Sequence, residues 1–227
     1  MGTISADTFR RIYLLYLLGR FRQGPYGLMR LQKVTYVSER GDSPVQPFKY
    51  KKYFFGQYSD QLDDIKDQLA SMGYLVATPL DTATVLKFVP PGTEKALEIN
   101  LGGNRFFVRD RGELAYYRRV LESFSSSLPS LIDRAVAEYG YLKEEELLRR
   151  CYQFPEFVGR KEGDVILDSN LPESIDIGLP DEECEDLELA MNPRFVVSMT
   201  RLVAALEETD VDWTKVREVK TLRTRGA

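Results

Sequence analysis

The stretch FKYKKYFFGQYS, residues 48–59, decides the fold because it leads from an extended aromatic segment directly into a helix. Aromatic residues interleaved with lysine over a few positions are typical of a short strand. Gly56 interrupts that strand, and Ser59 offers a side-chain oxygen to cap the helix that follows. Gly73 ends the helix, at a position that favours a left-handed residue. Apolar side chains recur inside the helix at spacings of three and four and so bury one face: Leu62, Ile65, Leu69 and Met72.

Two further helices are predicted before this stretch and two strands after it. The apolar periodicity predicts helices over residues 8–18 and 27–39. Residues 74–78 and 84–89 are predicted to form two short strands around a turn at Pro79-Leu80-Asp81. Three helices followed by a two-stranded wing are typical of a winged-helix-like core. We therefore expect an α+β protein that is mainly α with a small β-wing.

Beyond the wing, the sequence predicts a helical extension and then a change in composition. A short helix is expected over residues 94–98, and longer ones over 113–124, 129–139 and 143–152. Asp164–Ala190 contains no lysine or arginine and is punctuated by glycine and proline, which is typical of an extended acidic linker. The predicted organisation is a winged-helix-like domain (1–98), a helical extension packed on it (99–158), an acidic linker (159–191), a C-terminal helix docking on the core (192–208) and a basic tail (209–227).

The composition argues against several classes of function. The chain has 227 residues, a formal net charge of −4 and no histidine. Histidine is the side chain most used as a general base near neutral pH and is a common metal ligand, so its absence disfavours hydrolases and zinc enzymes. The sequence has no glycine-rich phosphate loop, no G-x-S-x-G motif and no calcium loop. We therefore expect no catalytic, cofactor-binding or metal-binding residues.

The sequence also favours a cytoplasmic protein. No apolar run approaches the ~20 residues that a membrane span needs, and the N-terminus lacks a signal-peptide pattern. Cys151 and Cys184 lie far apart and have no CxxC spacing. Two free thiols are therefore expected, rather than a disulfide or a metal site.

Nucleic-acid binding is one of two partner hypotheses. A winged-helix regulator would bind DNA through basic residues of the N-terminal region together with the basic tail: Arg10, Arg11, Arg30, Lys33, Lys51 and Lys52. The helix that would enter the groove argues against this hypothesis. Its outward face carries one lysine, Lys66, against four aspartates: Asp60, Asp63, Asp64 and Asp67. Duplex DNA carries a negative charge every ~1.7 Å, so these aspartates would be repelled.

A protein partner is the other hypothesis. Exposed tyrosine beside lysine suits a protein-binding surface, where aromatic residues are enriched. Strand alternation would bury Phe48 and Tyr50 and, at the end of the run, Phe54. The side chains left outside would be those of Lys49, Lys51 and Tyr53. Packing in the core remains the alternative for each aromatic residue of the run. The side chains expected to contact a partner are Lys49, Lys51, Lys52, Tyr53, Phe55, Gln57 and Tyr58.

Three motifs resemble the Panacea, or phage-associated antitoxin-like, family. LQKVTY (31–36) is similar to the family's LQKLxY helix, and YFFGQYS (53–59) is similar to its aromatic run into YGPYS. The end of the helix that follows, with Gly73 and then Leu75, resembles the family's LxxxGxL pattern. Residues 120–157 are similar to its third block, through Tyr139, Gly140, Glu146, Leu147, Leu148 and Tyr152.

The resemblance covers roughly residues 10–157 and implies a non-enzymatic protein-interaction module. Family members act as antitoxins that neutralise a toxin by direct binding, and some relatives are adaptors that deliver a partner to a protease. The family has no catalytic residues to carry over. Gln57 stands where the family has proline, so the turn before the capped helix is less rigid. We expect a toxin, or a protease and its client, as partner; a DNA-binding regulator is the alternative and an enzyme a distant third.

Overall fold

The computed structural model describes residues 1–25, 27–54, 56–80, 85–90, 96–100 and 103–208. About 50% of these residues are helical and 17% lie in strands, which confirms an α+β protein. The helices are α1 (Ala6–Arg20), α2 (Gly27–Glu39), α3 (Asp60–Ser71), α4 (Leu114–Phe124), α5 (Leu128–Tyr139), α6 (Glu144–Tyr152), α7 (Asp181–Ala190) and α8 (Pro193–Glu208). The strands are β1 (Thr3–Ser5), β2 (Tyr50–Tyr53), β3 (Gly56–Tyr58), β4 (Leu75–Pro79), β5 (Val85–Phe88), β6 (Leu97–Asn100), β7 (Asn104–Val108), β8 (Val165–Leu167) and β9 (Ser174–Asp176).

Helix α1 lies at the centre of the core. Every residue from Thr8 to Gly19 is buried, because α3, α4, α5 and β7 all pack against this helix. Such burial on all sides is typical of a helix in the middle of a domain. Helix α2 packs against α5 and α6. The predicted helical extension therefore shares one hydrophobic core with the N-terminal helices.

Helix α3 forms as its sequence predicts. The side chain of Ser59 accepts a hydrogen bond from the backbone N–H of Leu62 at 3.2 Å, which satisfies one of the free donors at the helix start. Leu62, Ile65 and Leu69 are buried on the face that packs against α1. Gly73 follows the helix with a φ of 81°, a left-handed conformation that glycine adopts without steric cost.

The predicted wing is wrong in its pairing. Strand β4 pairs antiparallel with β7, and β5 pairs antiparallel with β6, so the two predicted wing strands do not pair with each other. The short helix predicted over residues 94–98 is also wrong where the structure describes it. Leu97 and Glu98 lie in β6, opposite Phe88 and Lys87. Pairing with β5 buries Phe88 and Ile99 against α6, which a local helix could not do.

The predicted acidic linker is part of the folded domain. Strand β8 pairs with β2, β9 pairs with β1, and α7 packs against β1. The physical reason is a set of apolar side chains spaced between the acidic ones, all of them buried: Ile166, Ile175, Ile177, Leu179, Cys184 and Leu187. The chain from β8 to α7 therefore closes the core against the N-terminus.

The C-terminal helix docks only in part. Helix α8 packs against α3 and α7, and Val196 lies partly buried on the core. Four side chains of its apolar stripe are exposed by 41–50%: Phe195, Met199, Leu202 and Val203. The predicted basic tail, 209–227, lies outside the described residues.

Candidate functional site

The β2–β3 hairpin presents an aromatic surface at its tip. Lys52 pairs with Gln57 and Tyr53 with Gly56, whose φ of 104° makes the return possible. Tyr53 and Phe54 are 49% and 54% exposed. Their rings lie 5.2 Å apart, and the Tyr58 ring lies 5.6 Å from Tyr53. We call Tyr53, Phe54 and Tyr58 the aromatic patch.

The base of the hairpin is fixed in the core. Phe48 and Tyr50 are buried, as strand alternation predicted. Phe54 is exposed instead, because it lies in the turn, where alternation no longer applies. Glu39, fully buried at the end of α2, accepts hydrogen bonds from the Phe48 N–H at 3.0 Å and the Tyr50 hydroxyl at 3.1 Å. Burial raises the pKa of Glu39 well above its ordinary value, which these hydrogen bonds only partly offset.

The lysines of the hairpin are held by neighbouring acceptors. Lys49 forms an ion pair with Asp168 at 3.2 Å, and Lys51 forms one with Asp60, also at 3.2 Å. Lys52 donates to the backbone carbonyl oxygens of Arg160 at 2.7 Å and Phe157 at 3.4 Å. Lys49 and Lys51 remain exposed, and Lys51 lies opposite Tyr58 of the aromatic patch.

One residue expected at the partner surface, Gln57, is buried instead. Gln57 is 1% exposed, and its Nε2 donates to the backbone carbonyl oxygen of Cys151 at 2.8 Å. The partner-contact prediction for Gln57 is therefore wrong for this conformation, because β3 is covered by α2 and α6. Phe55 lies outside the described residues.

The N-terminal cations predicted for DNA binding are buried. Arg10 donates to the Pro47 carbonyl oxygen at 2.8 Å, Arg11 to Gln68 at 2.5 Å, and Arg30 to the Gly140 carbonyl oxygen at 2.9 Å. Lys33 is buried as well. These four side chains do not form a basic surface. Neighbouring elements cover α1 and α2 also on faces that lie outside the apolar stripes of these helices. Both cysteines are free, as predicted, and both are buried.

Lys33 carries a positive charge into an apolar environment. The side chain is 2% exposed, and its Nζ lies 3.5 Å from the backbone carbonyl oxygen of Gln57. Among the described residues, no carboxylate lies within ion-pair distance of this amino group. Burial lowers the pKa of Lys33 to about 8. The adjacent Cys151 thiol does not balance the charge, because burial raises the pKa of Cys151 to about 11.

A cavity of about 160 Å³ lies between α2 and the hairpin. Its floor is buried and its rim is partly exposed. The floor residues are Gln32, Lys33, Gly56 and Gln57, and the rim residues are Leu28, Met29, Tyr53 and Tyr58. The Oε1 of Gln57 is buried and has no hydrogen-bond partner among the described residues. We call this the Lys33 cavity; it reaches the surface at Tyr53, within the aromatic patch.

The sequence predicts functional roles for Lys33 and Gln57, but it places both side chains at the protein surface. The two motifs could have indicated that these side chains meet. LQKVTY contains Lys33 in α2, YFFGQYS contains Gln57 in β3, and α2 packs against β3. Among the residues that the structure describes, there is no cluster of three or more potential metal ligands. Within the same residues, none of the helices has both the length and the apolar character that a membrane span requires.

Comparisons with models of protein families, with curated proteins and with solved structures found no match to this chain.

Proposed function

We propose that this protein is a non-enzymatic protein-interaction module, antitoxin-like or adaptor-like, that binds a protein partner through the aromatic patch. The resemblance of its three motifs to the Panacea family supports this role and a winged-helix-like arrangement of α1–α3. The observation that carries the proposal is the exposure of Tyr53 and Phe54 side by side at a hairpin tip. Aromatic side chains are enriched among the residues that dominate protein interfaces.

Rigidity of the patch adds support. Phe54 is tied down by its backbone carbonyl oxygen, which accepts a hydrogen bond from the Tyr152 hydroxyl at 2.7 Å. The Tyr58 hydroxyl donates to Asp63 at 2.8 Å. Because the hairpin is held at both its tip and its base, little conformational entropy is lost when a partner binds.

DNA binding has less support than protein binding. Its cations at positions 10, 11, 30 and 33 are buried, and Lys51 is paired with Asp60 on α3. A salt titration of binding to random duplex DNA tests this alternative directly, because phosphate contacts give affinity that falls steeply with salt.

The test of the proposal is a stoichiometric complex that depends on the patch. The tagged chain is isolated from its native host, any partner present at equal stoichiometry is identified by mass spectrometry, and the complex is reconstituted from purified components. Tyr53→Ala/Phe54→Ala is expected to weaken binding by ~30-fold or more, since buried aromatic anchors contribute about 2 kcal/mol or more.

Phe195→Ala/Met199→Ala is the matched control, because it removes two comparably exposed apolar side chains from α8. It is expected to leave the affinity unchanged. Loss of binding only in this control would move the interface to α8, and the absence of any stoichiometric partner would contradict the proposed function.

A further inference from the structure

The Lys33 cavity has the size of a single apolar side chain. Its volume is about 160 Å³, close to that of an engineered protein cavity of about 150 Å³ that binds benzene. The rim residues Leu28, Met29 and Tyr53 provide apolar contacts around such a group. The cavity is therefore suited to one aromatic ring or branched aliphatic side chain, not to an extended ligand.

The floor of the cavity adds two polar requirements. The Lys33 ammonium has three donors and one carbonyl acceptor at 3.5 Å. A buried cation without an anionic partner is costly, so an anion placed beside it gains a charge-assisted hydrogen bond. The Oε1 of Gln57, a floor residue, is buried and receives no hydrogen bond from the part of the chain that the structure describes. A ligand that satisfies the floor supplies a negatively charged acceptor and an N–H donor.

A chain-terminal apolar residue combines these features. Its α-carboxylate can accept from Lys33 on the floor, its backbone N–H can donate to Gln57, and its side chain contacts the apolar rim. Capture of a C-terminal carboxylate is a recurring mode of peptide recognition. An aryl carboxylate without an amide provides the charge and the ring but no donor.

We propose that the Lys33 cavity binds the C-terminal residue of the protein partner, with an aromatic or branched apolar side chain and a free carboxylate. This inference rests on the proposed function and specifies the chemistry that the partner presents beside the aromatic patch. Tyr53 belongs to both the patch and the cavity rim. One partner segment can therefore cover the patch and end in the cavity.

The experiment uses the full chain without any partner and N-acetyl-L-phenylalanine as the probe. Binding is followed by calorimetry and by amide chemical-shift changes. The probe is expected to bind saturably at millimolar concentrations or below. N-acetyl-L-phenylalaninamide, which lacks the charge, is expected to bind at least tenfold more weakly, a loss of about 1.4 kcal/mol. 3-Phenylpropionate, which lacks the N–H, is expected to fall between the two.

Variants separate the cavity from other cationic sites. Lys33→Met is expected to lower the affinity for the probe at least tenfold and to abolish the preference for the free acid over the amide. Lys87→Met removes an exposed lysine of β5 that is not among the predicted partner contacts, and this variant is expected to bind like the wild type. Thermal unfolding of both variants verifies that they are folded.

Each contrary result overturns a stated part of the inference. Absence of binding at millimolar concentrations, or equal binding of acid and amide, overturns the carboxylate site. Equal affinity for 3-phenylpropionate and the probe overturns capture of a chain terminus and leaves a site for free aryl carboxylates. Since no partner is present, these results are independent of whether a stoichiometric partner exists. Partner binding through the patch without probe binding would overturn this inference alone.

Discussion

The Nζ of Lys33 lies 3.5 Å from the backbone carbonyl oxygen of Gln57, and this contact joins α2 to the aromatic hairpin. The preceding residue, Gln32, makes a second connection. Its Nε2 donates to the Ser59 carbonyl oxygen and its Oε1 accepts from the Ser59 N–H, both at 2.9 Å. The motifs LQKVTY and YFFGQYS are thus two halves of one packed unit, and Ser59 in turn caps α3.

Lys33→Met is expected to stabilise the protein at neutral pH. The pKa of Lys33 is about 8 in the folded chain, against an ordinary value of 10.5. Between these two values the unfolded chain binds more protons, so the wild type gains stability as the pH rises through this window. The wild type should therefore gain about 2 kcal/mol relative to Lys33→Met between pH 7 and pH 9.5.

Chemical denaturation of both proteins across this pH range measures the difference. Taking the difference removes the titration of Cys151 and of the tyrosines to first order, because both proteins share them. Lys87→Met serves as the control, because it removes a lysine whose side chain is 74% exposed. A pH-independent difference for Lys33→Met would show that the Lys33 charge is not buried in the folded chain.

Gln32→Leu tests the connection between the two motifs. The substitution leaves the N–H and carbonyl oxygen of Ser59 buried without their present partners. Each unsatisfied buried group costs about 1–3 kcal/mol, so a loss of roughly 2–5 kcal/mol in the free energy of unfolding is expected. Gln23→Leu is the matched control at an exposed position and should change stability by less than about 0.5 kcal/mol. Equal stability of the two variants in urea denaturation would refute the role of Gln32.

The local features of this unit could be predicted from the sequence. The cap at Ser59, the buried stripe of α3 and the end at Gly73 depend on residues within about one helix length of each other. The environment of Lys33 could not be predicted in this way. Its burial requires β3 on one side and α6 near it, and no local pattern states which distant element covers a polar position.

The acidic segment shows a different kind of failure. Pairing of β8 with β2 and of β9 with β1 joins residues more than a hundred positions apart, which periodicity cannot specify. Helix α7, in contrast, had a local signal. Its first turn holds Asp181, Glu182 and Glu183, where the helix dipole favours acids, and Cys184 and Leu187 follow at a buried helical spacing. The linker was predicted because the segment lacks basic residues, although this helical spacing is present.

Gly56→Ala is expected to damage both the hairpin and the cavity. A Cβ at this position would lie 2.6 Å from the Lys33 Nζ, and the φ of 104° is strained for any L side chain. We expect a loss of about 2–3 kcal/mol in the free energy of unfolding together with weaker binding of N-acetyl-L-phenylalanine. Gly41→Ala provides the control, because Gly41 also has a positive φ, 73°, but no atom within 4 Å of the added Cβ.

Gly41→Ala should cost only about 1 kcal/mol and leave probe binding unchanged. If the two glycine variants lose the same stability and bind the probe equally, the close approach of Gly56 to Lys33 does not constrain the cavity.

Ile175→Ala tests whether residues 159–191 belong to the core. Ile175 is 1% exposed and pairs with Ile4 across β9 and β1. Removing a fully buried isoleucine side chain typically costs 2–5 kcal/mol, so a loss of about 3 kcal/mol is expected.

Val165→Ala, at a position 38% exposed in β8, is the control and should cost less than about 1 kcal/mol. Urea denaturation, followed by near-ultraviolet circular dichroism of the buried tyrosines and by far-ultraviolet circular dichroism, measures the two variants. A linker would tolerate both substitutions, so an Ile175→Ala variant as stable as the wild type would restore the linker hypothesis. Coincident transitions by the two probes with a lowered midpoint would instead show that β9 unfolds together with α1 in one cooperative domain.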